Sequence, residues 1–488
     1  MNRRQFAGLA AGCAFGAAKR PPNIVLILAD DLGYGDLSCY GNTRHRTPNL
    51  DRMAQEGVRF TEFYTPMPFC APTRAALLTG RYPFRSNMTR NPAPDAGMSG
   101  FGLPDTEVTL AQALKPLGYA TTCIGKWHLG HTAPYLPIRR GFDSYLGILY
   151  SNDMRPVQLV ENDRVIEYPV AQATLTRRYT ERAVRFIEDN RSRPFFLYLP
   201  HAMPHKPLAA SEDFYTPDTP DDLYSDVVRE LDWSVGSILK RLQDLGLDDD
   251  TLVVFTSDNG PWYGGSTAGL RGMKARSWDG GIRVPMIARW PGKIAAGRVN
   301  KEVCGIIDLF PTVCDASGAP VPSDRVIDGK NILPLMRSAD ARSPHEALFA
   351  MSGGNLAVVR SGKWKLHCRA PQAEPRADRD VSKWVDPRGP DGVTLLAPYE
   401  QARPDQYPGV QSGDPPKPFM LFDLESDPSE QHDVAAQNPQ VVARMKALFE
   451  KLDAQVPRLA PPPKPAGGLR RVKGGELRYD RIPNPPSP

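Results

Sequence analysis

Unbroken apolar runs alternating with amphipathic stretches set the pattern from Asn23 to about Leu335. Asn23–Ala29 (NIVLILA) stays apolar after its first residue, as a strand covered on both faces does. Similar runs predict strands at Ala120–Ile124, Pro194–Leu199, Thr251–Thr256 and Val284–Trp290. Helices are predicted at Leu110–Leu117, Arg178–Asp189 and Asp222–Leu245, the last carrying Val227, Leu231, Val235, Ile238 and Leu242 at helical spacing. Thr47-Pro48 predicts an N-cap and a first-turn proline, with Leu50, Met53 and Ala54 on one face and Gly57 at the end. Strands separated by helices predict an α/β fold, a large mixed, mostly parallel sheet sandwiched by helices.

Around Ser338–Pro344 the pattern changes. Ala347–Met351, Leu356–Arg360, Lys363–His367 and Phe419–Asp423 read as short antiparallel strands, followed by a helix at Pro439–Ala454. The expected organisation is an α/β domain over 21–340 and a smaller C-terminal α+β subdomain over 341–458 with a Pro-rich insertion at 370–417. A Pro-rich tail follows over 459–488. The 50 prolines among 488 residues are about twice the usual proportion.

Composition narrows the function classes. Sixty Lys+Arg against 55 Asp+Glu leave a net charge of +5, too even for a nucleic-acid footprint. No apolar run approaches the ~20 residues of a membrane-spanning helix. Residues 1–20, with Arg3-Arg4-Gln5-Phe6 ahead of a short small-residue apolar stretch, read as a twin-arginine export signal. That implies the twin-arginine export machinery as a partner and a periplasmic or extracellular location, with Cys13 a candidate lipid anchor. The remaining cysteines have neither metal-site spacing nor the density of a disulfide framework, although Cys304 and Cys314 could pair in an exported protein.

The chemistry collects just after the predicted strands, where open α/β sheets bind ligands. The first strand runs into Asp30-Asp31, the second into Gly125-Lys126-Trp127-His128, the third toward His201 and His205, and the fourth into Asp258-Asn259. Asp30, Asp31, Asp258 and Asn259 form an all-oxygen set of the kind Ca²⁺ or Mg²⁺ takes. Each pair also reads as a solvated strand end or a turn. Cys70 precedes Pro72, so it sits at a helix N-terminus, where the positive dipole end lowers a thiol pKa. A nucleophile and a half-buried structural thiol both fit it, and by themselves His128 and His205 read as structural histidines and Lys126 and Lys274 as solvated surface lysines.

Cys70-Ala71-Pro72-Thr73-Arg74 followed by Thr79-Gly80-Arg81 resembles the cysteine form of the sulfatase signature. The likeness extends, in family order, through Ala29–Asp36, Gly125–Gly130, Ser257–Gly260, and Lys274 with Asp279–Pro285, and again at Leu421–Leu424 with Asp427-Pro428 and Glu430. Gly141–Asp143 and Tyr150–Asp153 are similar to the arylsulfatase A and N-acetylgalactosamine-6-sulfatase branch. Asp279 stands where the family commonly has Glu.

The resemblance implies that a maturation enzyme oxidises Cys70 to Cα-formylglycine, whose hydrated gem-diol is the nucleophile. It implies one divalent cation, Ca²⁺ or else Mg²⁺, held by Asp30, Asp31, Cys70, Asp258 and Asn259. Arg74, Lys126 and Lys274 would neutralise charge in the transition state. His205, with Lys274, would protonate the leaving alcohol, His128 would regenerate the aldehyde, and Ser151 would contact substrate. The implied substrate is a sulfated carbohydrate, from a glycosaminoglycan or algal polysaccharide, of galactose or N-acetylgalactosamine type. A phosphate mono- or diester hydrolase of the same superfamily and a non-catalytic sulfated-glycan binder are the competing readings.

Overall fold

A computed structural model describes residues 20–93, 98, 100–154, 157–215, 222–373 and 406–457. The export segment with Cys13, residues 374–405 of the insertion and the tail lie outside the described residues. Among the described residues the strands are β1 (Asn23–Ala29), β2 (Val58–Phe60), β3 (Phe63–Tyr64), β4 (Ala120–Ile124), β5 (Ser144–Gly147), β6 (Leu159–Glu161), β7 (Arg164–Glu167), β8 (Phe195–Pro200), β9 (Thr251–Ser257), β10 (Met286–Arg289), β11 (Arg298–Asn300), β12 (Cys304–Gly305), β13 (Leu348–Ser352), β14 (Asn355–Ser361), β15 (Trp364–His367) and β16 (Met420–Asp423). The helices are α1 (Pro48–Gln55), α2 (Cys70–Thr79), α3 (Leu110–Leu114), α4 (Leu175–Asp189), α5 (Leu223–Asp244), α6 (Asp279–Ile282), α7 (Leu309–Ser317), α8 (Leu333–Arg337) and α9 (Pro439–Asp453).

Ten strands form one sheet in the order β11-β2-β10-β9-β1-β8-β4-β5-β6-β7. Within it β10 and β6 run against the others. Along β1, Ile24, Leu26 and Leu28 join an apolar cluster with α2, α3 and α7, while Val25, Ile27 and Ala29 join one with α1, α4 and α5. Alternate side chains therefore face two helical layers, which is why the run is apolar throughout. A second, antiparallel sheet has the order β13-β14-β15-β16, and α9 packs on it through Met445 and Phe449.

Three local expectations differ from the structure. Thr47 does not cap α1: its Oγ1 accepts from the Ser38 amide at 2.9 Å. The α1 amides of Asn49 and Leu50 donate instead to Asp232 on α5, at 3.1 and 2.8 Å. The helix expected over Leu110–Leu117 tightens to 3₁₀ geometry at Lys115–Leu117, because Pro116 brings no amide hydrogen. Cys304 and Cys314 are free thiols buried in one apolar cluster rather than a disulfide, packing as small hydrophobes do.

Candidate active site

β9, β1, β8 and β4 are adjacent and parallel, so their carboxyl ends open on one rim. Backbone bonds knit these ends together: Asp258 donates to the Ala29 carbonyl at 3.2 Å, Asp30 to Met203 at 3.1 Å and Lys126 to Pro200 at 2.7 Å. Gly125 lets β4 cross so closely, since an added Cβ would lie 1.9 Å from the Pro200 oxygen. Asp31 (φ 64°), His128 (φ 60°) and Ala275 beside Lys274 (φ 70°) are held in the left-handed region. Such conformations cost on the order of 1–3 kcal/mol each and persist where the fold dictates side-chain direction.

Cys70 opens α2 with its Sγ 3.3 Å from Asp30 Oδ1 and 4.0 Å from Asp31 Oδ1. Lys274 Nζ donates to that sulfur at 3.4 Å and pairs with Asp31 Oδ1 at 2.5 Å. Arg74, one turn into α2, holds Asp258 Oδ2 through Nε (2.9 Å) and Nη2 (2.8 Å), and lies 3.5 Å from Asp30 Oδ2. Lys126 Nζ pairs with Asp30 and donates to Ser151 Oγ at 3.0 Å. Asn259 Nδ2 donates to Asp31 Oδ1 at 2.8 Å. All of these side chains are buried.

Burial would raise the Asp30 carboxyl, but Lys126, Arg74 and Lys274 outweigh it and hold it well below the usual carboxylate range. Asp258 is pushed up to about 7 by burial and the charge on Asp30. The Cys70 thiol corrects the sequence expectation. Burial, reinforced by Asp258 and Asp30, raises its pKa far above the ordinary value, so the dipole of a helix N-terminus does not make it a thiolate.

His205 belongs to the same cluster, with Nε2 3.7 Å from Asp31 Oδ2 and 3.4 Å from Ser151 Oγ. Its Nδ1 lies 2.5 Å from the Lys206 carbonyl, an acceptor only, so Nδ1 carries the proton and Nε2 faces the site. His128 Nε2 donates to the Pro92 carbonyl at 3.2 Å by the same reasoning, leaving a buried Nδ1 with no hydrogen-bond partner among the described residues. Burial, then Lys126 and Arg74, push its pKa well below the ordinary value, so His128 is a neutral imidazole. His201 turns away from the cluster to Ser234 Oγ at 3.2 Å and the Tyr179 ring.

The residues present fit a hard cation. Asp30, Asp31, Cys70 and His205 bring donor atoms within 4.8 Å of one another. Among the described residues, Asp31 Oδ2 and Asn259 Oδ1 are buried oxygens without a hydrogen-bond partner, and orphaned acceptors of this kind are costly unless something electropositive meets them. Arg74, Lys126 and Lys274 offset Asp30, Asp31 and Asp258 one for one, so a divalent cation would leave the site positive toward an anionic ester. Three residues that contact this set escaped the sequence reading: Pro92, whose carbonyl orients His128, Lys206, whose carbonyl orients His205, and Asn91, which accepts from the Ala71 amide at 3.0 Å. The Pro92 and Lys206 carbonyls are backbone acceptors, which leave no residue-type signal.

The chain belongs to the sulfatase family and is a sulfuric ester hydrolase. The family model described as sulfatase matches residues 22–319, and the one described as the C-terminal region of aryl-sulfatase matches 343–463. Steryl-sulfatase of Mus musculus is 35% identical over 533 residues, covering 90% of this chain and 82% of that protein. N-acetylgalactosamine-6-sulfatase of Canis lupus familiaris is 41% identical over 388 residues, covering 73% and 74%. Among solved structures, Ps i-CgsB in complex with k-i-k-neocarrahexaose superposes with a TM-score of 0.73 at 28% identity, over 90% of this chain and 94% of that one. Sulfatases generally use a metal ion and a formylglycine.

Proposed function

We propose that this sulfatase hydrolyses carbohydrate sulfate esters, of galactose or N-acetylgalactosamine type, in the periplasm or outside the cell. The observation that carries the reading is that three buried cations, Arg74, Lys126 and Lys274, gather on the aspartates that touch Cys70. Neither a structural thiol nor a thiolate nucleophile needs that arrangement. A sulfated anion with a nucleophile at position 70 does.

In this reading Cys70 is matured to Cα-formylglycine, and Asp30, Asp31, Asp258, Asn259 and residue 70 hold a divalent cation, Ca²⁺ in preference to Mg²⁺. When bound, the cation acidifies the nucleophile and draws charge from the sulfuryl oxygens. Lys126 and Lys274 clamp the sulfuryl group, and Arg74 keeps Asp258 and Asp30 turned inward. His205, its Nε2 set toward Asp31 and Ser151 by the Lys206 carbonyl, would in its protonated form give the Nε2 proton to the leaving alcohol. His128, neutral, takes the final proton on Nδ1.

The N-acetylgalactosamine-6-sulfatase relatives and the k-i-k-neocarrahexaose bound in Ps i-CgsB favour a sugar, while the steryl-sulfatase match spans more of the chain and makes sterol sulfate the comparison substrate. The test begins with the mass of tryptic peptide Phe60–Arg74 from the native host, expected to carry an aldehyde or its hydrate at Cys70. Turnover of sulfated galactosides, sterol sulfate and phosphate esters follows. Faster turnover of phosphate esters would overturn the sulfatase mechanism, and faster turnover of sterol sulfate would overturn the sugar assignment.

A further inference from the structure

Lys365 is a fully buried lysine on β15, in the C-terminal sheet, and its ion pairs are with residues outside the site described above. Its Nζ pairs at 2.8 Å with Asp279 Oδ1 and at 2.8 Å with Glu430 Oε1. Glu430 Oε2 accepts from the Asp279 amide at 2.6 Å, and Oε1 accepts from His367 Nε2 at 2.8 Å. Arg271 donates through Nη1 to the Glu430 carbonyl at 2.9 Å and stacks 3.8 Å over Trp278.

These contacts grip both ends of one segment. Gly280 donates to the Arg271 carbonyl at 2.8 Å and closes residues 271–280 into a loop. Lys274 lies within that loop, its amide bonded to the Pro261 carbonyl at 3.0 Å, and Ala275 donates to Pro68, two residues before Cys70, at 3.1 Å. The base of the loop is held by the C-terminal region, and the loop delivers the Lys274 ammonium to Cys70 and Asp31. Desolvation offsets much of the attraction in a buried charge cluster of this kind, so net stability alone does not account for it.

We propose that Lys365, Glu430 and Asp279 form a positioning device through which the C-terminal sheet aims Lys274 at the sulfuryl group. The inference rests on the sulfate-contacting role assigned to Lys274 above. Lys365→Met removes the charge at nearly constant length, and Glu430→Gln does so with an acceptor retained, which keeps the comparison available where Lys365→Met does not fold. In full-length enzyme of native melting temperature, each variant is expected to weaken calorimetric binding of inorganic sulfate and to lower kcat/KM by roughly tenfold to a hundredfold, since small misplacements at a reacting centre carry costs of that order. Lys365→Arg is expected to recover part of the loss. In a Lys274→Ala background the same substitutions should change sulfate affinity and kcat/KM less than twofold, because the group they position is gone.

Losses that multiply independently of Lys274, or folded Lys365 and Glu430 variants that bind sulfate normally, would overturn the positioning role. A Lys274→Ala enzyme that binds and turns over like the parent would instead remove the role of Lys274 itself, and the proposal with it.

Discussion

His201 and His205 follow the same strand four residues apart, and their surroundings give them opposite tasks. His205 meets Asp31 and Ser151, whereas His201 is enclosed by Tyr179 and Ser234 with no charge beside it. Burial pushes the His201 pKa down to about 3. The unfolded chain takes up this proton below about pH 6.5 and the folded chain only near 3, so the stability tied to neutral His201 is complete above 6.5 and drains away as pH falls through that window. His201→Gln is expected to flatten the dependence of the urea midpoint on pH between 6.5 and 4, by up to about 1.4 kcal/mol per pH unit, with kcat unchanged. An unaltered pH slope would show that His201 does not titrate in that window. His128 illustrates the same rule inside the site: Pro92 fixes its tautomer, and burial, reinforced by Lys126 and Arg74, holds its pKa well below the ordinary value.

At the scale of elements, the start of α1 depends on a neighbouring helix rather than on a local side-chain cap. Thr47-Pro48 announces the start of α1 correctly, yet the acceptor for its first amides is Asp232, which also receives Asn49 Nδ2 at 2.8 Å. One side chain on α5 therefore caps α1 and docks the two helices. Asp232→Ala should lower unfolding free energy by about 1–3 kcal/mol, measured by urea denaturation, and leave turnover intact, because buried amides lose their acceptor far from the strand ends. Thr47→Val should cost less than Asp232→Ala; the reverse order would restore the local cap. The short strands β5, β6 and β7 escaped the sequence reading for a related reason, since three or four residues carry too few periods to signal a strand.

At the scale of the whole molecule, the site draws together strand ends more than two hundred residues apart, and its three aspartates share one buried volume. Exhaustive chelation is expected to abolish sulfate-ester turnover and lower the melting temperature, with Ca²⁺ restoring both. A cation at a hundredfold its Kd adds about 2.7 kcal/mol, ample for a resolvable shift. Neither readout moving, with elemental analysis showing no bound metal, would remove the cation from the reading. Much of this architecture was legible in the sequence alone: the buried strands, the alternation with helices, and the polar residues at each strand's carboxyl end, because apolar period and strand-end chemistry are local properties. Through the motifs it determined which side chains would meet. Only the tertiary structure decided how they meet: which oxygens of Asp31 and Asn259 have no hydrogen-bond partner among the described residues, which nitrogen of each histidine is tied to a backbone carbonyl, and that Lys365 reaches Asp279 across 86 positions. Burial and hydrogen-bond partners arise when distant segments pack, and no stretch of chain carries a pattern for them.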